Sequence, residues 1–516
     1  MHALRRPRSL VLPGPGPRRQ IRHPACLPRE AAVTVLFDPE ITADEFKGRR
    51  VTIVGLGKGR TTAGLARYLV GKGARVTITD PKREDDLAEG IARLGETAKE
   101  VELVLGPSSD DLALAEPDFV FVIPGIRPRS PTILRALQRR VPVLTEIALF
   151  FRLCPATIVG ITGTKGKTTT TTLVERVLAR GTRRVIVGGN IGTPVIQELD
   201  RLRPEDVVVL ELSSFQLETL GHSPHVAVVT NVLEDHLDHH GTRDADIAAK
   251  RNIVAWQGPR DVAVLNLDDP ATVSLHTGAA SEVRGFSLSL QPRRGAYLDP
   301  QGRLVLVSGD RHSVVCEAKD LRVPGKHNVA NALAAAIVGD VFDIPVRAIG
   351  DVLRAFEGVP RRLETVGEID GVLWVNDSAA TTPSATISAL DAFDRPAVVI
   401  LGGVAKGADF TMLAREVVRR ARGAVLIGQA ADDIASALAA AGAAGSQLAV
   451  AKAPTLAEAV TNARALARPG DVVLLSPACA AREDYSGGAS LDHFTSVDDR
   501  GDRFVALVRE LMGVKA

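Results

Sequence analysis

At 516 residues the chain is too long for one core, and at roughly 100 to 200 residues per domain it should hold three. Apolar residues make up 45% and charged residues 24%, an ordinary globular balance, and a net charge of +2 gives no concentrated basic surface for nucleic acid. The cysteines Cys26, Cys154, Cys316 and Cys479 have no paired spacing, which argues against a disulfide framework or zinc site and for a reducing, cytoplasmic compartment, and no apolar run is long enough to span a membrane.

Residues 1–45 read as a disordered leader. The first 29 are basic and proline-rich, and the apolar stretch from Leu10 to Leu12 is too short for a signal peptide. Patterning begins near Val51. VTIVG leads into a glycine turn, a helical pattern runs to about Val70, and RVTITD (Arg75 to Asp80) follows, which makes a βαβ unit. FVFVIPG (Phe119 to Gly125), a helix around Thr132 to Arg139 and a strand at Val141 to Leu144 complete an α/β domain over 46–154. GLG (Gly55 to Gly57) with Asp80 resembles a dinucleotide fingerprint, but Arg60 stands where the third glycine belongs. The pair therefore argues for a Rossmann-like fold and a nucleotide diphosphate of unspecified kind.

A second domain, 155–358, opens with the strand ATIVGITG. RVIVGG, DVVVLEL, HVAVVTN and DVAVLN follow as near-continuous apolar runs, the texture of parallel strands covered on both faces. Residues 281–323 have short alternating segments with Gly and Pro turns and suggest small antiparallel strands, and 328–338 is Ala-rich and helical.

The sharpest signal lies between the first of these strands and its helix, in GITGTKGKTTT. Backbone N–H groups of Gly163, Thr164, Lys165, Gly166 and Thr169 can cradle phosphates, Lys167 can reach the β- and γ-phosphates, and Thr168 offers a hydroxyl to Mg²⁺. The match is to the shorter GTxGKT form, since Gly160 is one residue too far away for the longer one. Glu211 closes an apolar strand beside this loop, where a carboxylate suits a magnesium ligand. In TNVLEDHLDHHG, Glu234, Asp235, His236 and Asp238 follow a strand end and suit a hard cation or phosphate better than zinc, with His239 and His240 as solvated loop residues.

The third domain, 359–516, alternates VLWVND, AVVILGG, GAVLIG and DVVLLSP with helical stretches. The expected fold is α/β in three domains: Rossmann-like, P-loop ATPase-like, then Rossmann-like.

GTKGKTT, GNIGTP, ELSSFQLE, NVLEDHLDHH, AAKRNI, GKHNVANALAA, PRRLE, VNDSAAT, LLSPACA and SLDHF occur in that order between residues 163 and 494. Together they resemble the Mur ligases of peptidoglycan synthesis. ELSSFQLE, and SPACA with SLDHF, are most similar to the glutamate-adding, MurD-type branch.

The resemblance implies an ATP-dependent amide-forming ligase. Its substrates would be ATP, UDP-N-acetylmuramoyl-L-alanine and glutamate, D-glutamate by default, and the enzyme a cytoplasmic monomer. Lys167 and Thr168 would bind ATP phosphates and a first Mg²⁺ shared with Glu211. His236 and a carbamylated Lys250 would hold a second Mg²⁺. Asn190 would touch phosphates or substrate, and Asn328 and Asn331 would line the adenine. Arg362 and Asp377 would close over ATP. Gly57 to Thr61, Asp80 and Lys82 would surround the uridine diphosphate, and Thr381, Lys406, Ser490 and Leu491 would fall on the substrate side.

The sequence departs from the family pattern around the amino-acid pocket. Ala379 stands where lysine is usual, Val404 and Ala405 precede Lys406 where Asp-Gly is usual, and Val497 replaces an aromatic. A segment at 481–489 splits SPACA from SLDHF. Arg482 and Arg361 are candidates to replace the lost cation. An L-glutamate-adding ligase is the alternative those departures raise. A folate-type polyglutamate ligase fits less well because such enzymes usually lack this first domain. A nicotinamide oxidoreductase would leave the second-domain loop without a role, and a non-catalytic scaffold would not need Lys167, Glu211, His236 and Lys250.

Overall fold

Runs such as VVVL at 207–210 and AVVI at 397–400 are 0–3% exposed, because parallel strands connected through helices are covered on both faces. The computed structural model describes residues 41–107, 109, 116–124, 126–191, 194–233, 242–323, 325–405, 408–481 and 494–513.

The first sheet contains β1 (Arg50–Val54), β2 (Arg75–Asp80), β3 (Val101–Leu105), β4 (Phe119–Val122) and β5 (Val143–Leu144). Its order is β3-β2-β1-β4-β5 and every pair is parallel, the doubly wound arrangement with a crevice between β1 and β4. Fully buried Phe46 packs on Phe119, ring centroids 5.3 Å apart, and fixes the entry of the chain under this sheet.

The second sheet contains β6 (Thr157–Thr162), β7 (Val185–Gly189), β8 (Val207–Glu211), β9 (Val226–Val229) and β10 (Val262–Asn266). It continues through β11 (Glu282–Ser287), β12 (Arg294–Leu298), β13 (Arg303–Ser308) and β14 (Arg311–Glu317) in the order β14-β13-β12-β11-β10-β9-β6-β8-β7. The expectation of small antiparallel strands over 281–323 is corrected here. β11 and β12 extend the parallel sheet, and the first antiparallel pair is β12–β13. Gly and Pro turns signal tight connections but not strand direction. In the β11–β12 pairing Gly295 meets Gly285 so closely that a Cβ on Gly295 would lie 1.8 Å from the Gly285 carbonyl, so glycine is required there.

The third sheet contains β15 (Glu364–Ile369), β16 (Val372–Asn376), β17 (Ala397–Gly402), β18 (Ala421–Ile427), β19 (Ala449–Lys452) and β20 (Val472–Leu475). Its order is β15-β16-β20-β17-β18-β19, antiparallel only at β15–β16. Trp374 is 1% exposed and lies against Phe504.

These three α/β domains form two compact units. The first runs to Cys316 and takes in Ala330–Val352; the second takes Glu317–Val329 and the chain from Leu353 onward. Within the first unit, the helix Arg60–Gly71 packs on the segment Val195–Arg201, and Gly64 leaves the room that Pro194 fills. Lys72 pairs with Asp200 at 2.6 Å, and the buried Glu146 accepts the Ile196 N–H at 3.2 Å. Cys154, Cys316 and Cys479 are buried and form no disulfide among the described residues. Among the described residues no helix is long and apolar enough to cross a membrane.

Candidate active site

β6 ends at Thr162, and the chain turns through Gly163–Gly166 into the helix Lys167–Leu178. Gly163 has φ +142° and Gly166 has φ +83°. A Cβ there would lie 2.0 Å from Thr230 Oγ1 or 2.5 Å from Asn331 Oδ1, so packing and backbone both require glycine. Gly166 is also the helix N-cap and offers no side-chain cap, so no capping oxygen competes with an anion for the first-turn donors. Lys167 Nζ donates to the carbonyls of Gly163 at 2.7 Å and Thr164 at 3.0 Å, which holds its ammonium over the loop.

Parallel pairing brings the second element of the site into place. Ile161 of β6 is in register with Glu211 of β8, so the last carboxylate of β8 arrives beside the loop. Thr168 Oγ1 donates to Glu211 Oε2 at 2.7 Å, and Asn190 Nδ2 donates to Oε1 at 2.9 Å. Glu211 is 2% exposed. Thr170 Oγ1 meets Asn331 Oδ1 at 3.2 Å, which ties the helix Lys326–Val341 to the loop; Asn328, one turn earlier on that helix, is buried.

Lys250 lies on the helix Arg243–Ala255, 2% exposed and ion-paired with the buried Asp246 one turn earlier. It shares a cavity of about 240 Å³ with Gly163, Lys167, Asn190, Ser213 and Phe215. Ser213 and Phe215 belong to ELSSFQLE, the segment that Glu211 opens. Ser213 caps the helix Ser214–Leu217 by accepting the Gln216 N–H, which turns the chain across the end of β8.

The loop is also held from β9. Thr164 N–H donates to the Asn231 carbonyl at 2.9 Å, and Lys165 N–H donates to Asn231 Oδ1 at 2.9 Å. No local pattern points to Asn231, because its partners are more than sixty residues away.

In the first domain the turn after β1 resembles the loop after β6. Gly59, φ +73°, is the uncapped N-cap of the helix Arg60–Gly71, and a Cβ on it would lie 2.6 Å from the Gly90 carbonyl. Asp80 is turned to the backbone. It accepts the N–H groups of Leu56 at 2.9 Å, Gly57 at 3.1 Å and Lys82 at 3.0 Å, so its carboxylate shapes the turn. Thr61 is half-buried and Lys82 is exposed.

In the second unit, Asp377 accepts Ser476 Oγ at 2.7 Å and the Leu363 N–H at 3.2 Å. Burial pushes its carboxyl up to about 7 against those hydrogen bonds and the charge of Arg362. Thr381 is exposed. Arg361, a candidate replacement for the lost lysine, binds Asp502 at 2.8 Å and Asp498 at 3.3 Å, so its charge is already matched. Arg500 is fully buried and donates to Ser378 Oγ and to the carbonyls of Ser378 and Cys479, tying together the chain after β16 and after β20.

His236, Lys406, Ser490 and Leu491 lie outside the described residues, as do Glu234, Asp235, Asp238, His239, His240 and Arg482. Among the described residues no group of three or more His, Cys, Asp or Glu is placed to hold a metal by itself. The oxygens of Thr168 and Glu211 nevertheless fit magnesium, which takes one or two carboxylates together with phosphate oxygens.

Three family models match the chain in succession: the MurD-like N-terminal domain over 49–145, the Mur ligase middle domain over 161–339, and the Mur ligase glutamate ligase domain over 361–479. The chain is 41% identical over 469 residues to the UDP-N-acetylmuramoylalanine–D-glutamate ligase of Pelotomaculum thermopropionicum, covering 90% of this chain and 99% of that one. It is 40% identical over 463 residues to the ligase of the same name from Symbiobacterium thermophilum, covering 90% and 98%. The fold is similar to that of the UDP-N-acetylmuramate-alanine ligase of Thermotoga maritima, with a TM-score of 0.53 at 21% identity over 90% of this chain and 100% of that one.

Proposed function

The chain belongs to the Mur ligase family, and from that premise we propose that it joins D-glutamate to UDP-N-acetylmuramoyl-L-alanine at the expense of ATP, in peptidoglycan precursor synthesis. The observation that carries the reading is the convergence of Lys167, Thr168, Asn190, Glu211 and Lys250 around the loop Gly163–Gly166.

The chemistry follows from that convergence. A carboxylate oxygen of the alanyl group attacks the γ-phosphorus of ATP, the bond to the β-γ bridging oxygen breaks, and ADP leaves. The glutamate amine then attacks the acyl phosphate carbon, phosphate departs, and the amine loses its proton. Nucleophile and target are both anionic in the first step, so the site must supply positive charge. Lys167 supplies it over the loop, and the uncapped helix Lys167–Leu178 adds its dipole. Magnesium, when bound, neutralises phosphate charge. Thr168 and Glu211 would hold one ion, with Asn190 orienting Glu211. Lys250, as a carbamate, would hold a second with His236. An unmodified ammonium cannot ligate a cation, so the second site requires the modification.

Gly166 to Thr169 would take the ATP phosphates, the N–H groups of Thr164 and Lys165 being held by Asn231, and Asn328 and Asn331 the adenine, with Arg362 and Asp377 completing the nucleotide site. Gly57, Thr61, Asp80 and Lys82 would take the uridine diphosphate, Asp80 by shaping the turn. Thr381, Lys406, Ser490 and Leu491 would serve the amino acid. The same reading includes domain limits of 46–154, 155–358 and 359–516, a monomer and a cytoplasmic location.

The test is ATP-dependent phosphate release with UDP-N-acetylmuramoyl-L-alanine and either D- or L-glutamate. Release with D-glutamate, abolished by Lys167→Ala, is expected. Release with L-glutamate alone would reassign the branch, and release unaffected by Lys167→Ala would sink the mechanism.

A further inference from the structure

A phosphate loop binds an anion through whichever of its peptide N–H groups the fold leaves facing it. Between Gly163 and Gly166 that choice is fixed at Lys165, the residue before the second glycine. Its N–H donates to Asn231 Oδ1 at 2.9 Å, and its carbonyl accepts from Asn231 Nδ2 at 2.9 Å and from Thr230 Oγ1 at 2.6 Å. One carboxamide thus holds both polar groups of one residue, as a neighbouring strand would. The preceding N–H, of Thr164, goes to the Asn231 backbone carbonyl at 2.9 Å. Thr164 Oγ1 bridges to the Leu233 backbone, donating at 3.0 Å and accepting at 2.9 Å. Asp269 holds this segment in turn by accepting the Val232 N–H at 2.7 Å.

We infer that Asn231 is a positioning residue for nucleotide, setting the peptide orientations of the phosphate loop before ATP arrives. The inference rests on the nucleotide reading above. With Thr164 and Lys165 turned to Asn231, the anion is left to Gly166 and the first turn of the helix Lys167–Leu178. The Lys165 carbonyl, which would repel a phosphate, is pinned on the far side. Asparagine suits both bonds at once: aspartate can only accept, alanine can do neither, and glutamine is a methylene longer. A preset loop binds without first reordering its backbone, so the benefit should appear as nucleotide affinity.

The test uses the full chain with Asn231→Ala and the isosteric Asn231→Asp. ADP with magnesium is titrated by calorimetry, and the KM for each substrate and the thermal midpoint are measured. Freeing the Lys165 N–H and leaving its carbonyl to Thr230 Oγ1 alone should weaken ADP about tenfold or more, the scale of an unmade hydrogen bond. The KM for ATP should rise in step. The KM values for the uridine substrate and glutamate should stay near those of the unaltered protein. Asn231→Asp keeps the acceptor for the Lys165 N–H, loses the donor to its carbonyl and adds an anion beside the phosphates, so it should bind ADP more weakly than Asn231→Ala. Unchanged ADP affinity in both variants would overturn the inference. So would a fall in kcat with every KM intact, the mark of a smaller folded fraction. If the unaltered chain itself binds no ADP, the nucleotide reading falls and the inference with it.

Discussion

Asp377 keeps its carboxyl among the ends of β16 and β20, where burial raises it to about 7. An unfolded aspartate titrates near pH 4, so the folded chain holds this proton more tightly. Its stabilising contribution is therefore complete below about pH 4 and lost as pH rises through about 7. Glu146, in the first unit, is pushed to about 7 by burial in the same way, against the Ile196 N–H and the charge of Arg60. Asp377→Asn removes one of these titrations. Thermal midpoints measured from pH 4.5 to 8.5 should fall less steeply in the variant than in the parent, and superimposable profiles would count against a buried, proton-holding Asp377. Arg500 poses the opposite problem, since burial pushes its guanidinium down to about 10. Carbonyl oxygens of Ser378 and Cys479 and the Ser378 hydroxyl stand in for a counter-ion.

Among the elements, the contact between the helix Arg60–Gly71 and the segment Val195–Arg201 depends on one missing side chain. A Cβ on Gly64 would lie 2.5 Å from the Pro194 ring, and a rigid proline cannot retreat as a flexible chain would. Gly64→Ala should destabilise the first unit by about 1–3 kcal/mol, the usual cost of overpacking, read as a lower denaturation midpoint. A midpoint equal to the parent's would mean the helix slides freely on that segment. The same scale shows what could be read in advance. β8 and β17 are near-continuous apolar runs, and their burial on both faces follows from composition. The loop Gly163–Gly166 was legible because a strand, two glycines and a Lys-Thr pair occupy fixed offsets. Gly59 was not, because the dinucleotide pattern expects its glycine one place later, where Arg60 stands, while the N-cap needs it here. The parallel pairing of β12 with β11, with Gly295 opposite Gly285, is a non-local fact that no local pattern encodes. Asn231, Ser213 and Phe215 meet the loop only through parallel pairing of β6, β8 and β9. Arg361 looked available in sequence and is committed to Asp498 and Asp502 in space.

At the scale of the molecule, the two tryptophans fall one to each unit. Trp256 closes the helix Arg243–Ala255, and Trp374 lies in β16. Trp374→Phe and Trp256→Phe therefore leave single reporters for the first and second units. Each unit has its own buried cluster, so guanidinium titrations of the two variants should give separate midpoints rather than one shared transition. ADP should raise the midpoint reported by Trp256 by more than that reported by Trp374, because the loop Gly163–Gly166 lies in the first unit. Coincident, equally shifted curves would mean that the units unfold as one body.

The path of the chain between the units also limits how the protein can be divided. After β14 it enters the second unit for Glu317–Val329, returns to the first for Ala330–Val352, and then leaves for good at Leu353. The helix Lys326–Val341 straddles one of these crossings. A single scission at any peptide bond therefore leaves at least one piece missing part of its own core or carrying part of the other's. For split-protein reporters or segmental isotope labelling, the natural severable module is a discontinuous one. A cut between Ala355 and Arg361 would leave the first unit whole and deprive the second of Glu317–Val329.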